Sequence, residues 1–410
     1  MKCRHCGEPL SETLIDLGSA PPSNAYLSTD ALKRPEKWFP LTVLVCSVCR
    51  LVQTEDFAEA QELFDAEYAY FSGFSTSWLA HCECYADAMQ SRFGIGSDSF
   101  VVEVAANDGS LLGFFHDRGV RCLGVEPTAS TAATARARGL RMVEVFFGVA
   151  QAEALAAEGS RADLMAANNV LAHVPDINDF VGGFTALLAD DGVATFEFPH
   201  LLNLVRERQF DTIYHEHYSY LSLLAVERVF RSNGLSVFDV EELPTHGGSL
   251  RVYAQRMATG NRPVNENVGR VIDGERAAGM DEGTFYRNFQ SEAERVKDDF
   301  VSFLIEARRE GKTVAAYGAA AKGNTLINFA GVRPDLIDFV VDRNPRKQGR
   351  FLPGSRIPIL GEEALRARRP DYVVILPWNL RAELSVQLSY VREWGGRFVT
   401  AIPALSVFDA

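Results

Sequence analysis

Val101-Val102-Glu103-Val104-Ala105-Ala106-Asn107-Asp108-Gly109-Ser110 is the stretch on which the fold turns. Three valines around one glutamate run into a short polar turn with a single glycine, as a buried strand does when it opens onto a helix. The pattern repeats on the C-terminal side, with strands predicted at 100–104, 122–126, 141–145, 163–167 and 193–198. Alanine-rich helical segments at 129–137 and 150–157 fall between them. Such alternation specifies an α/β fold built on a doubly wound, mostly parallel sheet. Ligands of nucleotide type bind such sheets at the carboxyl ends of the strands.

The turn after the first strand is not G-x-G-x-x-G, which weakens a dinucleotide reading. S-adenosylmethionine has no pyrophosphate to cradle and suits this loop better than NAD. Glu103, Ala105, Asn107, Asp108 and Gly109 are the candidate cofactor contacts here, with tight-turn and helix-cap duty as the alternative for Asp108. The next strand ends Leu123-Gly124-Val125-Glu126-Pro127. A carboxylate such as Glu126 at that place accepts both ribose hydroxyls. The fourth strand ends Asn168-Asn169-Val170-Leu171-Ala172-His173, where the methionine portion would lie; His173 reads as a hydrogen-bonding residue of that loop.

Upstream, Cys3 and Cys6 pair in spacing with Cys46 and Cys49. Two Cys-x-x-Cys knuckles across a gap place four thiolates around a structural zinc, a closed site with no position for substrate. Cys82, Cys84 and Cys122 lack such spacing and read as packing residues. The 410 residues carry a net charge of −13, which argues against non-specific nucleic-acid binding. No signal peptide or membrane-length apolar run is evident, so a soluble cytoplasmic protein is expected. Its length calls for two or three domains.

Beyond the fifth strand lies Phe210-Asp211-Thr212-Ile213-Tyr214-His215-Glu216-His217-Tyr218-Ser219-Tyr220. His-Glu-His is not a helical zinc motif, since residues two apart diverge on a helix. Acid–base chemistry fits, with imidazole titrating near neutrality, a carboxylate to orient it and tyrosine hydroxyls to stabilise a developing enolate. His246-Gly247-Gly248-Ser249-Leu250-Arg251 adds backbone donors and a cation for an anionic group. A charged helix is predicted from Thr284 to Glu310, then a second α/β unit with strands at 313–317, 337–341, 372–376 and 397–402. It opens Tyr317-Gly318-Ala319-Ala320-Ala321-Lys322-Gly323-Asn324, a strand–turn–helix junction suited to phosphate. Asp342 suits a ribose, and Arg343, Arg346, Lys347 and Arg350 follow it.

Taken together these motifs resemble the C-methyltransferases that act on nucleotide-linked deoxysugars, over essentially the whole chain. The resemblance implies a zinc module (1–66), a Rossmann-like S-adenosylmethionine domain carrying the catalytic segment (67–283) and a Rossmann-like sugar-nucleotide domain (284–410). It implies His217 as general base, with Tyr214 and Glu216 beside it and a tyrosine from the segment after the zinc module, Tyr68 or else Tyr70. The substrate, a dTDP-type 4-keto-deoxysugar methylated at C3, would meet His246, Gly248, Ser249 and Arg251, then Tyr317, Lys322, Asn324 and Arg343. Cofactors are S-adenosylmethionine and structural Zn2+; no nucleic-acid or membrane partner is implied, and a monomer is expected. Ala105-Ala106 departs from the glycine common at this place in the family. O-methylation of a sugar or polyketide hydroxyl is the alternative reaction, and a non-catalytic scaffold is the alternative of another class.

Overall fold

Apolar strand runs sort into three sheets in the computed structural model, which describes residues 1–55, 57, 73, 76–159 and 161–410. Tyr68 and Tyr70 lie outside the described residues. The first sheet is antiparallel and has the order β1 (Glu12–Ala20), β2 (Phe39–Val45), β3 (Val52–Thr54), β9 (Ser219–Tyr220). Its last strand comes from the His-Glu-His segment Phe210–Tyr220, so the cysteine module is completed by residues more than 150 positions away, with Val52 opposite Tyr220 and Gln53 opposite Ser219.

The central sheet contains β4 (Phe100–Val104), β5 (Arg121–Val125), β6 (Met142–Val143), β7 (Ala162–Asn168), β8 (Leu188–Pro199), β10 (Leu235–Leu243) and β11 (Ser249–Arg256). Their order is β10-β11-β8-β7-β4-β5-β6. The five predicted strands are there and parallel. Every residue of β4 is buried, as a strand covered on both faces requires. The final two strands form an antiparallel hairpin on β8, and His246-Gly247-Gly248 is its turn. Order reverses beside β4, which opens a crevice between the loops after β4 and β7.

A third sheet has the order β14 (Ile359–Leu360), β13 (Val340–Val341), β12 (Val314–Tyr317), β15 (Tyr372–Ile375), β16 (Arg397–Thr400), β17 (Ser406–Asp409). Only β17 runs antiparallel. Its own reversal point lies between the loops after β12 and β15, which carry Lys322 and Trp378. The predicted charged helix spans Phe289–Arg309, preceded by a separate 3-10 turn at Gly283–Tyr286. Asp176 and Ser222 cap the helices Ile177–Leu187 and Leu223–Ser232 by accepting from backbone N–H groups, and both helices pack on the central sheet.

The turn after β4 is held in left-handed backbone at Ala105 (φ 58°), Asn107 (φ 51°) and Gly109 (φ 72°). A Cβ at Gly109 would stand 2.2 Å from Leu140 Cδ1, so glycine is required by space as well as by φ. Ala105 tolerates the conformation at a cost of about 1 kcal/mol, which glycine would remove. Urea unfolding should therefore find Ala105→Gly more stable by about 1 kcal/mol and Gly109→Ala less stable by roughly 1–3 kcal/mol. Equal midpoints for the two variants would contradict this account of the loop.

Candidate active site

The crevice beside β4 holds a cavity of about 420 Å³. Glu103, Ala105, Asn107, Glu126, Pro127, Asn168, Asn169 and His173 all line it, together with Trp78, Thr128, Phe146, Phe147, Asp176 and Asp179. Asp108 and Gly109 stand behind the loop instead: Asp108 accepts from Ser110 Oγ at 2.5 Å and from Gly73 N at 2.9 Å. Glu126 accepts from Asn107 N and Thr128 N, both at 2.9 Å, which ties the ends of β4 and β5 together. Burial raises the Glu103 carboxyl well above its ordinary range, with the charges of Asp108 and Glu126 adding to it; Leu112 N–H and Arg138 oppose.

The chemistry of this lining fits S-adenosylmethionine. Glu126, Asp176 and Asp179, with the buried Glu103, and no lysine or arginine are found among the described lining residues, a surface that complements a sulfonium and an ammonium but repels a pyrophosphate. Both side-chain amide atoms of Asn168 are buried without a hydrogen-bond partner, an arrangement that calls for a ligand with polar groups of its own.

His173 links this cavity to the His-Glu-His segment. Its Nδ1–H donates to the Glu216 carbonyl at 2.8 Å, and its ring centroid lies 4.6 Å from that of His217. Burial holds His173 at about 4, so it is neutral at pH 7. The His217 Nδ1 stands 2.8 Å from the Thr212 carbonyl, which can only accept; Nδ1 therefore carries the proton, leaving the Nε2 lone pair. Burial drives the His217 pKa well below 6.5, and the proximity of His173, His246 and Lys322 disfavours a second proton there, against the bond to Thr212 O. The Tyr214 ring packs on it with centroids 4.0 Å apart.

Glu216 is 1% exposed. Its Oε1 accepts from Asn24 Nδ2 at 3.0 Å, while its Oε2 is buried with no partner. Burial pushes this carboxyl up to about 7. Across the cleft, Lys322 Nζ donates to Asn379 Oδ1 at 2.7 Å and sits 4.7 Å over the Trp378 ring. Trp378 in turn donates to Asp211 Oδ2 at 2.8 Å, and burial raises Asp211 to about 7 against the opposing charge of Lys322. His246, at φ 55°, closes this group; burial, with the charge of Lys322 beside it, brings it to about 4.

The other residues singled out from sequence stand elsewhere. Arg251 is committed inside the central sheet, 2.6 Å from Glu197 and 3.1 Å from Glu241, with Glu197 also 2.8 Å from His81. Ser249 Oγ donates to Thr245 O within its own turn, and Gly248 passes close under Asn203. Tyr317 and Arg343 gather instead with Gln387 and, through Tyr317, with Glu362, away from His217. Asp342 accepts from Ala319 N and Asn344 N, both at 2.8 Å, which fastens the loop above it. Asn324 Nδ2 donates to Ser23 O at 2.6 Å, joining the C-terminal unit to the arm that follows β1. Asn24, Trp78 and Asp211 were not candidates from sequence. Asp211 sits two residues before Ile213 in a segment read for its histidines and tyrosines, whereas Asn24 and Trp78 lie in stretches with no local signature.

The four cysteines of the first sheet converge, all Sγ atoms lying within 4.8 Å of one another. Cys3–Cys49 and Cys6–Cys46 are each 3.5 Å apart, too long for disulfides. Tetrahedral Zn–S bonds of 2.3 Å would put the sulfurs about 3.8 Å apart, so the cluster fits zinc. Gln53 Nε2 donates to Cys3 Sγ at 3.3 Å and its Oε1 accepts from Arg4 N at 2.9 Å, tying the cluster to β3.

Three family models cover the chain in succession: "Putative zinc binding domain" over residues 3–64, "Methyltransferase domain" over 81–240 and "C-methyltransferase C-terminal domain" over 244–403. The C-methyltransferase NovU of Streptomyces niveus is 36% identical over 409 residues, spanning 100% of this chain and 97% of its own. Among solved structures, the PH0226 protein of Pyrococcus horikoshii OT3 aligns over 49% of this chain and 99% of its own, at 13% identity and a TM-score of 0.39. The 1,6-didemethyltoxoflavin-N1-methyltransferase of Burkholderia thailandensis aligns over 50% and 96%, at 17% identity and a TM-score of 0.36. The chain belongs to the C-methyltransferase family. It is an S-adenosylmethionine-dependent enzyme that methylates carbon, which sets aside both the O-methylation and the scaffold readings.

Purified protein should contain one zinc per chain by plasma emission spectrometry. Cys49→Ser should lose it and unfold at lower denaturant, since structural zinc in isolated modules contributes on the order of 10 kcal/mol. Because β3 pairs with β9 of the segment that carries His217, that loss should also depress methyl transfer; a zinc-free protein of undiminished stability would contradict the site.

Proposed function

We propose that the enzyme methylates C3 of a nucleotide-linked 4-keto-deoxysugar, of dTDP type, with His217 as the base. The observation that carries this reading is a neutral imidazole whose Nδ1–H is fixed on Thr212 O, so that Nε2 is the proton acceptor. A keto group acidifies the adjacent C–H, and His217 Nε2 takes that proton. Tyr214, packed on the His217 ring, and Glu216 offer hydrogen bonds to the enolate oxygen, and Lys322 supplies positive charge on the same side. Bound S-adenosylmethionine supplies the methyl electrophile. Glu103, Ala105, Asn107, Glu126, Pro127, Asn168, Asn169 and His173 would hold it, with Asp108 and Gly109 shaping the loop. Lys322, with Trp378 and Asn379 at the reversal point of the third sheet, suits an anionic portion of a sugar nucleotide. His246 closes the same cleft.

Incubation with S-adenosylmethionine and a nucleotide-linked 4-keto-6-deoxysugar in D2O tests this directly. A new C-methyl group and exchange of the adjacent proton are expected, with exchange in His217→Asn reduced about 10²–10⁴-fold. Exchange surviving in that variant would remove His217 as the base. Since His217 titrates well below 6.5, protonation of this residue should leave kcat/KM intact as pH falls through 6.5 and depress it only at lower pH. Glu126→Ala should weaken binding of S-adenosylhomocysteine at least about 10-fold by calorimetry, the loss of charge-assisted hydrogen bonds to the ribose.

A further inference from the structure

The arm Pro21-Pro22-Ser23-Asn24-Ala25-Tyr26 leaves β1 of the zinc-bearing sheet and crosses to the third sheet's loops. Two hydrogen bonds clamp it there, Asn324 Nδ2 to Ser23 O at 2.6 Å and Tyr26 Oη to Ala319 O at 2.5 Å. Lys347 Nζ adds a cation 5.1 Å from the Tyr26 ring centroid. Asn24 lies between the two clamps and points its amide at Glu216, 3.0 Å from Oε1.

We propose that Asn24 is a positioning residue for Glu216: it holds Oε1 so that Oε2 is presented to an oxygen of the methyl acceptor. Two observations meet in this assignment. The arm is fixed on both sides of Asn24, so its amide has a set direction. The second carboxyl oxygen is buried without a partner, an arrangement that is costly unless a ligand supplies the missing hydrogen bond. An ionised Glu216 would take that bond from an acceptor hydroxyl, and a protonated one would give it to a keto oxygen. Other groups facing this carboxyl are the phenols of Tyr26 and Tyr220; His173 binds the backbone carbonyl of Glu216, and His217 follows it in the chain. The amide of Asn24 favours the charged form, against the burial that disfavours it. The role in turnover rests on the acceptor reading given above, whereas the effect on Glu216 itself does not.

The test is a pH titration of the full-length protein carrying 13C-carboxyl glutamate, followed by NMR without substrate. The Glu216 signal is assigned by its absence in Glu216→Gln. It should titrate near the value of about 7 in the unaltered chain. Removing a charge-assisted hydrogen bond should move it up by about one to two pH units in Asn24→Ala. Asn24→Ser, which keeps a donor, should return it part of the way, and carries the test should the alanine variant not fold. A folded, zinc-replete Asn24→Ala whose Glu216 midpoint is unchanged overturns the proposal. With acceptor present, kcat should fall at least about 10-fold in Asn24→Ala while calorimetric affinity for S-adenosylhomocysteine is unchanged. An unchanged kcat alongside a shifted midpoint overturns the catalytic half of the proposal, and no turnover in the unaltered enzyme points to the wrong acceptor instead.

Discussion

Pairing of Val52 and Gln53 with Tyr220 and Ser219 is the contact on which the active site hangs. A two-residue strand has no stability of its own and exists only where a sheet edge receives it. That edge is set by the cysteine cluster, through Gln53 against Cys3 and Arg4. Thr54 continues the contact, donating its hydroxyl to His217 O at 3.0 Å and its N–H to Tyr218 O at 3.1 Å. Position of the backbone at His217 and Tyr218 is thus tied, through β3, to the geometry of the cysteine cluster. A zinc held by the four cysteines would be structural in its coordination, and on the function proposed above it would matter to turnover through the sheet edge it braces.

Charge is divided across the two sides of His173. On the cofactor side stand Glu103, Glu126, Asp176 and Asp179, and on the acceptor side Lys322 and the neutral histidines 173, 217 and 246. On the function proposed above, the first side suits a sulfonium and the second an anionic acceptor, within a chain whose net charge is −13. Burial enforces the division. It favours the neutral forms of the histidines and raises Glu216 and Asp211 to about 7, which lowers the formal charge of this side near neutrality.

Periodicity carried most of the architecture into the sequence. Buried parallel strands such as Val101–Val104 have no polar face, and the cysteine spacing is a local pattern; both are visible without a structure. The segment Phe210–Tyr220 was legible for its density of titratable groups. What escaped reading depends on contacts between distant positions. Asn24 meets Glu216 across 192 residues and Asn324 meets Ser23 across 301, and a Pro-Pro-Ser-Asn loop gives no local sign of either. Arg251 misled in the opposite sense: its basic charge beside a glycine turn suggested a ligand site, but in the β11 register its side chain lies against Glu197 and is neutralised within the sheet. Sequence identifies which groups can ionise, and only packing decides which of them are already paired.

Lys322 shows why that distinction matters for the acceptor. Burial lowers the Lys322 pKa and the charge of Asp211 opposes that shift, but the two form no ion pair among the described residues; Trp378 intervenes, donating to Asp211 while its ring lies beneath the ammonium. A direct pair would neutralise the lysine and leave a neutral cleft. Held apart, Asp211 shifts toward its protonated form through burial, and among the described residues the Lys322 ammonium is met by Asn379 and an aromatic face. Such a cation gains most from a ligand that brings a full negative charge into the desolvated cleft. On the function proposed above, the nucleotide phosphates or the enolate would provide it, and a neutral free sugar would lack the phosphate contribution. The same Trp378 side chain abuts Gly247 of the β10–β11 turn, where a Cβ would stand 2.5 Å from its ring. One tryptophan thus fixes the spacing between the third sheet and the catalytic segment while keeping the lysine available.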